Sequence, residues 1–377
     1  MINALFEPRL RRQIDRLLLV AVGLLMLISL LAIREATVSN PRVASWATVA
    51  RQAAYFVVGL GVMGFVAARD YHNIRRFTPF LYWGNLLLLL FVKFAGHEAK
   101  GAARWIRLPI PGMDFKLQPS EFAKICIILT LAVYVASLGT RIREFPTLIK
   151  TLIHVGVPMV LIAAQPDLGT SLVLLGIWLG VVFLAGAKWQ HLGALALAGI
   201  AIFSAAWYGN VLHEYQKDRV RTLINPASDP RGTGYHVLQS QRAIGGGQVS
   251  GQGLGNGIQT NGGFIPENHT DFIFTVVGEE GGFVGAAVLL SVYGLLLWRG
   301  VATIAECEDQ LGRLIAGGVV TLFAFHLTVN IGMTCGIMPV VGVPLPLMSF
   351  GGSAAWANLA AIGLLLNIHM RRHKILF

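Results

Sequence analysis

Four ionisable residues lie where polar segments meet long apolar stretches, and their types suit acid–base chemistry. Asp271 ends a long polar loop just before an apolar stretch, and Asp167 occupies a very short turn between two others. Glu121 and Lys124 are three residues apart at the start of another stretch, so they share a helical face and can form an ion pair. A carboxylate partly withdrawn from water is a better proton acceptor, which makes Asp271 the favoured general base.

Each of these residues also has a purely structural explanation. Asp167, and either Thr270 or Asp271, suit the N-cap of the helix that follows, because their side chains accept bonds from its free N–H groups. Glu121 and Lys124 suit an ion pair that only holds helices together. The residues by themselves leave both explanations open.

The composition predicts that membrane helices position these residues. Hydrophobic residues make up 55% of the 377 residues and charged residues only 13%, against about 25% charged in average proteins. Apolar stretches of roughly 17–22 residues match the hydrocarbon thickness of a bilayer. The sequence therefore predicts an all-α polytopic membrane protein with about ten transmembrane helices. The predicted spans are 17–33, 53–68, 77–95, 122–138, 147–164, 169–186, 190–209, 272–298, 313–333 and 350–369.

Local signals refine three of these helix ends. Pro119 suits the first position of the fourth span, and Ser120 is a candidate for its N-cap. The first span is too long for the apolar core of a signal peptide, so we expect it to be retained. Segment 336–346 contains three prolines and cannot be regular helix. Irregular backbone at membrane depth is tolerated where it is buried in protein or lines a cavity.

Basic residues in the loops predict the orientation. Lys and Arg are frequent in the loops on one side and absent from the short loops 165–168 and 334–349 on the other. By the positive-inside rule both termini are cytoplasmic and Asp271 faces outward. Two external loops, 96–121 and the large loop 210–271 between spans seven and eight, break this rule with several cations. Either long loops escape the charge bias, or this face binds an anion such as phosphate, which suits Arg.

Several other classes of function are not indicated. The net charge of +11 comes from cations dispersed among loops rather than gathered in one stripe, so nucleic acid is not a predicted partner. The glycine-rich segment 245–257 lacks the Gly-Lys-Ser/Thr of a nucleotide loop. The three cysteines have no metal-ligand spacing and are predicted to be free thiols; they are Cys126, Cys307 and Cys335. Residues 1–377 are interpreted as a single membrane domain.

Long motifs in a fixed order resemble those of the SEDS family (shape, elongation, division, sporulation). The segments that carry the resemblance are 103–106, 118–124, 165–170, 225–226, 229–240, 266–280 and 344–353. The match covers nearly the whole chain. Segment 336–346 looks like the rod-shape branch of the family rather than its division branch.

The resemblance implies a peptidoglycan glycosyltransferase of the bacterial inner membrane that polymerises lipid II. A class B penicillin-binding protein and other membrane proteins of the elongation complex are the implied partners. By motif, Asp271 matches the catalytic acid of the family, Glu121 and Lys124 its functional ion pair, and Trp105 and Asp167 other sensitive positions. Gln252 departs from the Lys that is common in the family, which argues against a phosphate contact at that position.

The implied reaction needs a base and cations, because lipid II carries its disaccharide on undecaprenyl pyrophosphate. Asp271 is expected to deprotonate the acceptor's GlcNAc 4-hydroxyl, which attacks the donor's MurNAc anomeric carbon as pyrophosphate leaves. The predicted substrate-binding residues are Arg104, Trp105, Lys116, Asp167, Arg219, Arg221, Gln239 and Ser353. The four cations among them are expected to stabilise leaving-group charge.

Two further questions stay open from the sequence. No metal site is predicted, but a divalent cation that accompanies the pyrophosphate is compatible with the reaction. A flippase for lipid-linked oligosaccharides and a non-catalytic scaffold for a penicillin-binding protein are the alternative functions.

Overall fold

The computed structural model describes residues 13–38, 45–99, 102–110, 113–209, 211, 214–229, 232–265 and 268–373. Its α-helices, numbered in chain order, are α1 (Arg16–Val38), α2 (Ser45–Ala68), α3 (Ile74–Ala95), α4 (Pro119–Leu138), α5 (Phe145–Ala163), α6 (Leu168–Leu184), α7 (Trp189–Tyr208), α8 (Glu214–Ile224), α9 (Thr233–Gly246), α10 (Ile258–Asn261), α11 (Ile273–Glu280), α12 (Gly282–Glu306), α13 (Gln310–Thr334) and α14 (Gly352–Met370). Three strands follow α3, namely β1 (His97–Ala99), β2 (Ala102–Ile110) and β3 (Met113–Leu117).

The predicted helical membrane architecture is confirmed. Nine helices in the described part of the chain are long and apolar enough to cross a membrane. A shorter apolar helix of 17 residues, α6, corresponds to the predicted span 169–186. Most helix ends lie close to the predicted ones. The exception near the N-terminus is α2, which begins at Ser45 rather than at residue 53.

The predicted span 272–298 is wrong in its boundaries, because the chain is divided there into α11 and α12. The division occurs at Gly281 and Gly282. The membrane-spanning helix starts at Gly282 and continues past the predicted end to Glu306. The preceding helix, α11, packs on α9 instead.

A loop that folds against the break explains why the helix is interrupted. Gly282 has a φ of +60°, and a Cβ there would lie 2.3 Å from the backbone nitrogen of Gly251. Only glycine fits such a position. The N–H of Phe283 donates to the carbonyl of Gln248 at 2.9 Å, so the loop supplies the acceptor that a continuous helix would have supplied.

The predicted external loop 96–121 contains a small antiparallel sheet, which the predicted all-α fold did not include. The strand order is β1–β2–β3, and Arg107 pairs with Lys116 across β2 and β3. The sheet contacts α3, α4 and α14, at the end of the bundle where α4 begins. The other long loop, 210–271, contains the helices α8, α9 and α10.

The helices α13 and α14 form the centre of the bundle. Nearly every residue of α14 is buried, and this helix packs against α2, while α13 packs against α4, α6 and α12. A helix that is apolar on all sides is expected at such a buried position. In contrast, α7 has no buried residue.

The irregular segment predicted near residue 336 is confirmed, since no helix forms between α13 and α14. We call residues 335–351 the central segment. Its carbonyl groups are satisfied by side chains from neighbouring helices: the Asn330 amide donates to Val343 at 2.8 Å, and the Ser29 hydroxyl donates to Met348 at 2.7 Å. Such bonds explain how irregular backbone is accommodated inside a membrane bundle.

Candidate active site

Asp271 lies in the turn before α11 and directly against the central segment. Asn330 Nδ2 donates to the Asp271 carbonyl oxygen at 2.8 Å and to Val343 O at the same distance, so one amide holds both segments. A methyl group at Gly342 would lie 3.4 Å from Asp271 Oδ2, which places the half-buried carboxylate beside bare backbone. Asp271 is not the N-cap of α11; that position is Phe272, which makes no side-chain cap bond.

The two residues before Asp271 are held by the same segment. The Ser349 hydroxyl donates to the carbonyl of Thr270 at 2.6 Å, and the N–H of Phe350 donates to the carbonyl of His269 at 2.9 Å. Three consecutive carbonyl groups therefore have fixed donors. This arrangement fixes the Asp271 backbone, as the predicted role of general base would require.

Glu121 and Lys124 form the predicted ion pair, and it is deeply buried. Lys124 Nζ donates to both carboxylate oxygens of Glu121 at 2.9 Å, and the two residues are 1% and 3% exposed. A third partner is His326 of α13, whose Nε2 lies 3.2 Å from Lys124 Nζ. His326 Nδ1 lies 2.9 Å from the carbonyl oxygen of Pro344. A carbonyl only accepts, so Nδ1 carries the hydrogen and Nε2 accepts from the lysine.

His326 is the residue of this site that the sequence analysis missed. It is 2% exposed and links the ion pair to the central segment through Pro344. The available signal was an ionisable residue within an otherwise apolar span, since such residues usually face a polar interior. Nothing local to α13 indicates that Lys124, 202 positions away in sequence, is the partner.

Asp167 is the N-cap of α6, which is the structural role that the sequence predicted for it. Its Oδ1 accepts from the Thr170 N–H at 3.2 Å and its Oδ2 from the Thr170 hydroxyl at 3.0 Å. Ser120 Oγ and Gln118 Nε2 both lie 3.4 Å from Oδ2. The carboxylate therefore joins the N-termini of α6 and α4. Ser120 is not the N-cap of α4; Gln118 occupies that position without a side-chain bond, and Pro119 is the first helical residue as predicted.

Ser353 and Gln239 are both buried. The Ser353 hydroxyl accepts from the N–H of Gln118 at 3.0 Å and lies 3.3 Å from the carbonyl of Lys116, so it joins the end of β3 to the start of α14. Gln239 Oε1 on α9 lies 3.5 Å from an Arg242 nitrogen.

The predicted cations lie on two elements, the small sheet and α8. Arg104 uses Nε and Nη2 to bind the backbone carbonyls of Gln165 and Pro166, so it ties β2 to the turn before α6. Trp105 and Lys116 are half-buried residues of the sheet.

The remaining two cations lie on α8, which packs on α9 and the short turn Pro226–Ser228. Arg221 is ion-paired with Asp218 at 2.9 Å and with Glu214 at 3.2 Å, and these partners raise its pKa. Its charge is therefore already compensated. Arg219 is half-buried on the same helix.

The central segment is the meeting point of the predicted acidic residues. It touches Asp271 at Gly342 and reaches Lys124 through His326. It also packs on the first turn of α6, where a methyl group at Gly169 would lie 2.6 Å from Val341 O. Asp271 thus lies beside this irregular stretch of backbone, the ion pair is linked to it through His326, and the helix capped by Asp167 packs on it at Gly169.

Two further expectations concern the glycine-rich loop and metal binding. Gln252 Oε1 accepts from the N–H of Ile258 at 3.0 Å, which gives this side chain a structural partner within the loop. Within the described ranges, no three His, Cys, Asp or Glu side chains are grouped so that they could hold a metal ion. The described residues therefore do not fit a protein-only metal site.

Comparison with known proteins identifies the family. A profile of the FtsW/RodA/SpoVE family of cell cycle proteins matches residues 13–374. The chain belongs to this family. The resemblance inferred from the sequence motifs is thereby confirmed.

Individual relatives cover almost the whole chain. The peptidoglycan glycosyltransferase MrdB of Escherichia coli (strain K12) is 38% identical over 364 residues, which are 96% of each chain. The peptidoglycan glycosyltransferase RodA of Treponema pallidum (strain Nichols) is 31% identical, with 95% of this chain and 98% of the relative covered. A chain in a solved peptidoglycan synthase complex that coordinates polymerization and crosslinking is 31% identical, with a TM-score of 0.81 and 96% and 99% of the two chains covered.

Proposed function

We propose that this FtsW/RodA/SpoVE family member is a peptidoglycan glycosyltransferase that polymerises lipid II for cell-wall elongation. The observation that carries the proposal is the position of Asp271 beside the central segment, to which His326 also links the buried Glu121–Lys124 pair. Relatives that are named for this activity and cover 96% of the chain support it. The chain is a multi-pass membrane protein, and in this proposal its reactive face is periplasmic.

Asp271 acts as the general base in the proposed reaction. It accepts the proton of the acceptor's GlcNAc 4-hydroxyl, and that oxygen forms a bond to the anomeric carbon of the donor's MurNAc. The bond from this carbon to the pyrophosphate breaks at the same time, so the carbon is inverted and undecaprenyl pyrophosphate leaves with the bonding electrons. Because pyrophosphate is a stable anion, the reaction needs one carboxylate, whereas glycoside hydrolysis uses two.

The buried polar groups around Asp271 have positioning roles in this proposal. Lys124, held by Glu121 and His326, fixes α4 against α13, and α13 in turn carries the Asn330 amide that binds the backbone of Asp271. The four predicted cations, Arg104, Lys116, Arg219 and Arg221, stabilise the charge of the leaving pyrophosphate in this proposal. No step is assigned to a metal ion.

We infer a class B penicillin-binding protein, within a larger membrane complex for elongation, as the partner. The similarity to a chain of a complex that couples polymerization with crosslinking supports this inference. Glycan strands made at the membrane face need peptide crosslinks, so a transpeptidase that holds the new strand is the matching activity.

Polymerisation of lipid II by the purified protein with its partner tests the assignment. Asp271→Asn is expected to lower the rate about 10²–10⁴-fold, the usual contribution of a general base, while thermal unfolding and partner binding stay unchanged. The matched control is Asp70→Asn, since Asp70 is an exposed carboxylate on another part of the chain, near the end of α2. Full polymerisation by the Asp271 variant would exclude the catalytic role of Asp271. No polymerisation by the unmodified chain would leave the flippase and scaffold alternatives.

A further inference from the structure

A cavity of about 410 Å³ lies between α3, α4 and α5, at a distance from the candidate active site. Arg75 and Tyr82 of α3, Val133 and Tyr134 of α4 and His154 of α5 are among the residues that line it. Tyr134 is in the last turns of α4, whereas Glu121 is in its first turn. At about 1.5 Å per residue the two levels are roughly 20 Å apart, so the cavity belongs to the opposite end of the bundle.

Contacts between the three helices hold the walls of this cavity in place. The Tyr82 hydroxyl donates to the His154 carbonyl at 2.9 Å, and the Tyr82 ring stacks on the His154 ring with centroids 4.2 Å apart. His154 Nε2 lies 3.1 Å from the buried Thr130 hydroxyl. Each helix is thus bonded to another across the cavity, and the space does not depend on one mobile side chain.

The cavity carries a positive charge. Arg75 lies in the first turn of α3, is exposed and is the one charged residue among those that line the cavity. In the part of the chain that the structure describes, no carboxylate forms an ion pair with it. The Thr78 and Ser137 hydroxyls also line the cavity, and Pro79 and Val133 supply apolar surface beside them.

We propose that this cavity binds one anionic phospholipid of the surrounding membrane. The Arg75 guanidinium binds the phosphate, since its planar fork matches phosphate oxygens, and the first part of an acyl chain lies against Val133 and Tyr134. The volume is in the range of small-ligand pockets but below that of a whole phospholipid, so the rest of the lipid stays in the bilayer. This site is separate from the proposed glycosyl transfer and does not depend on it.

Lipid binding to the full chain in detergent, measured by native mass spectrometry, tests this proposal. Phosphatidylglycerol is expected to bind better than phosphatidylcholine, and Arg75→Gln is expected to weaken phosphatidylglycerol binding about tenfold, as for the loss of one charged hydrogen-bonding contact. The matched control is Arg76→Gln, because Arg76 is the adjacent, exposed arginine and does not line the cavity. Equal losses in the two variants would reveal general surface attraction and overturn the proposal.

A second variant distinguishes the contribution of the apolar space to lipid binding from that of the Arg75 charge. Val133→Trp fills the apolar part of the cavity while Arg75 is retained. It is expected to lower phosphatidylglycerol binding. Its thermal unfolding, measured without added lipid, is expected to stay unchanged. If Val133→Trp binds phosphatidylglycerol as the unmodified chain does, the acyl chain does not enter the cavity and the proposal fails. Stronger binding of undecaprenyl phosphate than of phosphatidylglycerol, or displacement of the lipid by millimolar inorganic phosphate, would also contradict it.

Discussion

At the residue scale, the buried ammonium group of Lys124 dictates its surroundings. A charge removed from water is strongly destabilising unless it is paired and hydrogen-bonded. Glu121 supplies two acceptors and His326 a third, which matches the three N–H donors of lysine. The histidine is in turn fixed by Pro344 O, so its orientation depends on the central segment.

His326→Leu is expected to leave one N–H of Lys124 without an acceptor. The loss of a buried bond to a charged group predicts about 1.5–3 kcal/mol less unfolding free energy, together with slower polymerisation of lipid II. His326→Gln retains a side-chain oxygen acceptor and is expected to recover much of both. Chemical unfolding in detergent and the polymerisation assay measure the two effects. A leucine variant as stable and active as the original chain would show that the third acceptor is dispensable.

Glu280 at the end of α11 predicts a pH dependence of stability. Burial raises its pKa from 4.5 to about 7, with smaller contributions from Glu35 and Glu279, although the N–H of Gly255 opposes the rise. The side chain is 3% exposed. The folded protein therefore favours the protonated acid, so this contribution to stability is complete below about pH 4.5 and is lost as the pH rises through 7.

Thermal unfolding between pH 5 and pH 8 checks this prediction. Between these pH values the unmodified chain should lose up to about 3 kcal/mol more unfolding free energy than Glu280→Gln, because the glutamine side chain stays neutral. Glu279→Gln is the control: Glu279 accepts from the Gln259 N–H, the Thr260 N–H and the Thr260 hydroxyl, so its amide variant should be less stable at both pH values. The same pH profile in Glu280→Gln and the unmodified chain would exclude Glu280 as the titrating group.

At the scale of elements, the break between α11 and α12 separates a membrane helix from a helix of the reactive face. Loop 248–253 bonds to both sides of the break: Phe283 and Val284 donate to it, and it donates to the carbonyls of Glu279 and Glu280. The loop thereby replaces the hydrogen bonds that a continuous helix would contain. Its close approach requires glycine at Gly282 and Gly251.

Gly282→Ala is expected to destabilise this junction. A left-handed φ costs a non-glycine residue about 1–2 kcal/mol, and the new methyl group would also displace Gly251. The control is Gly294→Ala within the same helix, where a Cβ has no neighbour within 4 Å. That change should be neutral or stabilise by up to about 1 kcal/mol. Thermal unfolding should show a loss of stability for Gly282→Ala and no loss for Gly294→Ala; equal effects would contradict the assigned role of Gly282.

At the scale of the whole molecule, the bundle has a polar reactive end and a basic end. The ion pair, Asp167 and Asp271 lie at the first. The second contains Arg299, bonded to Asp15 at 2.7 Å, and Arg372, bonded to Glu306 at 2.9 Å. The positive-inside rule assigns the basic end to the cytoplasm.

Cysteine labelling in intact cells tests this orientation. Ser250→Cys, in the exposed loop at the reactive end, should react with a membrane-impermeant maleimide. Thr140→Cys, exposed in the turn after α4, should react only after the membrane is permeabilised. The unmodified chain, with its free thiols at Cys126, Cys307 and Cys335, gives the background. The reverse labelling pattern would overturn the orientation.

The sequence by itself determined the membrane class, nearly all of the spans and the family. Length and apolarity of a stretch are local properties, and they suffice for membrane insertion because a helix satisfies its own backbone hydrogen bonds. The Glu121–Lys124 pair is local in the same way, since three-residue spacing brings both side chains to one helical face.

Only the tertiary structure decided which distant groups meet. The contact of His326 with Lys124 and the interruption at Gly282 both depend on how segments pack. The last shows the reason most plainly. Apolar composition favours a continuous helix through residue 282, and the break exists because loop 248–253, which is distant in sequence, supplies competing hydrogen bonds.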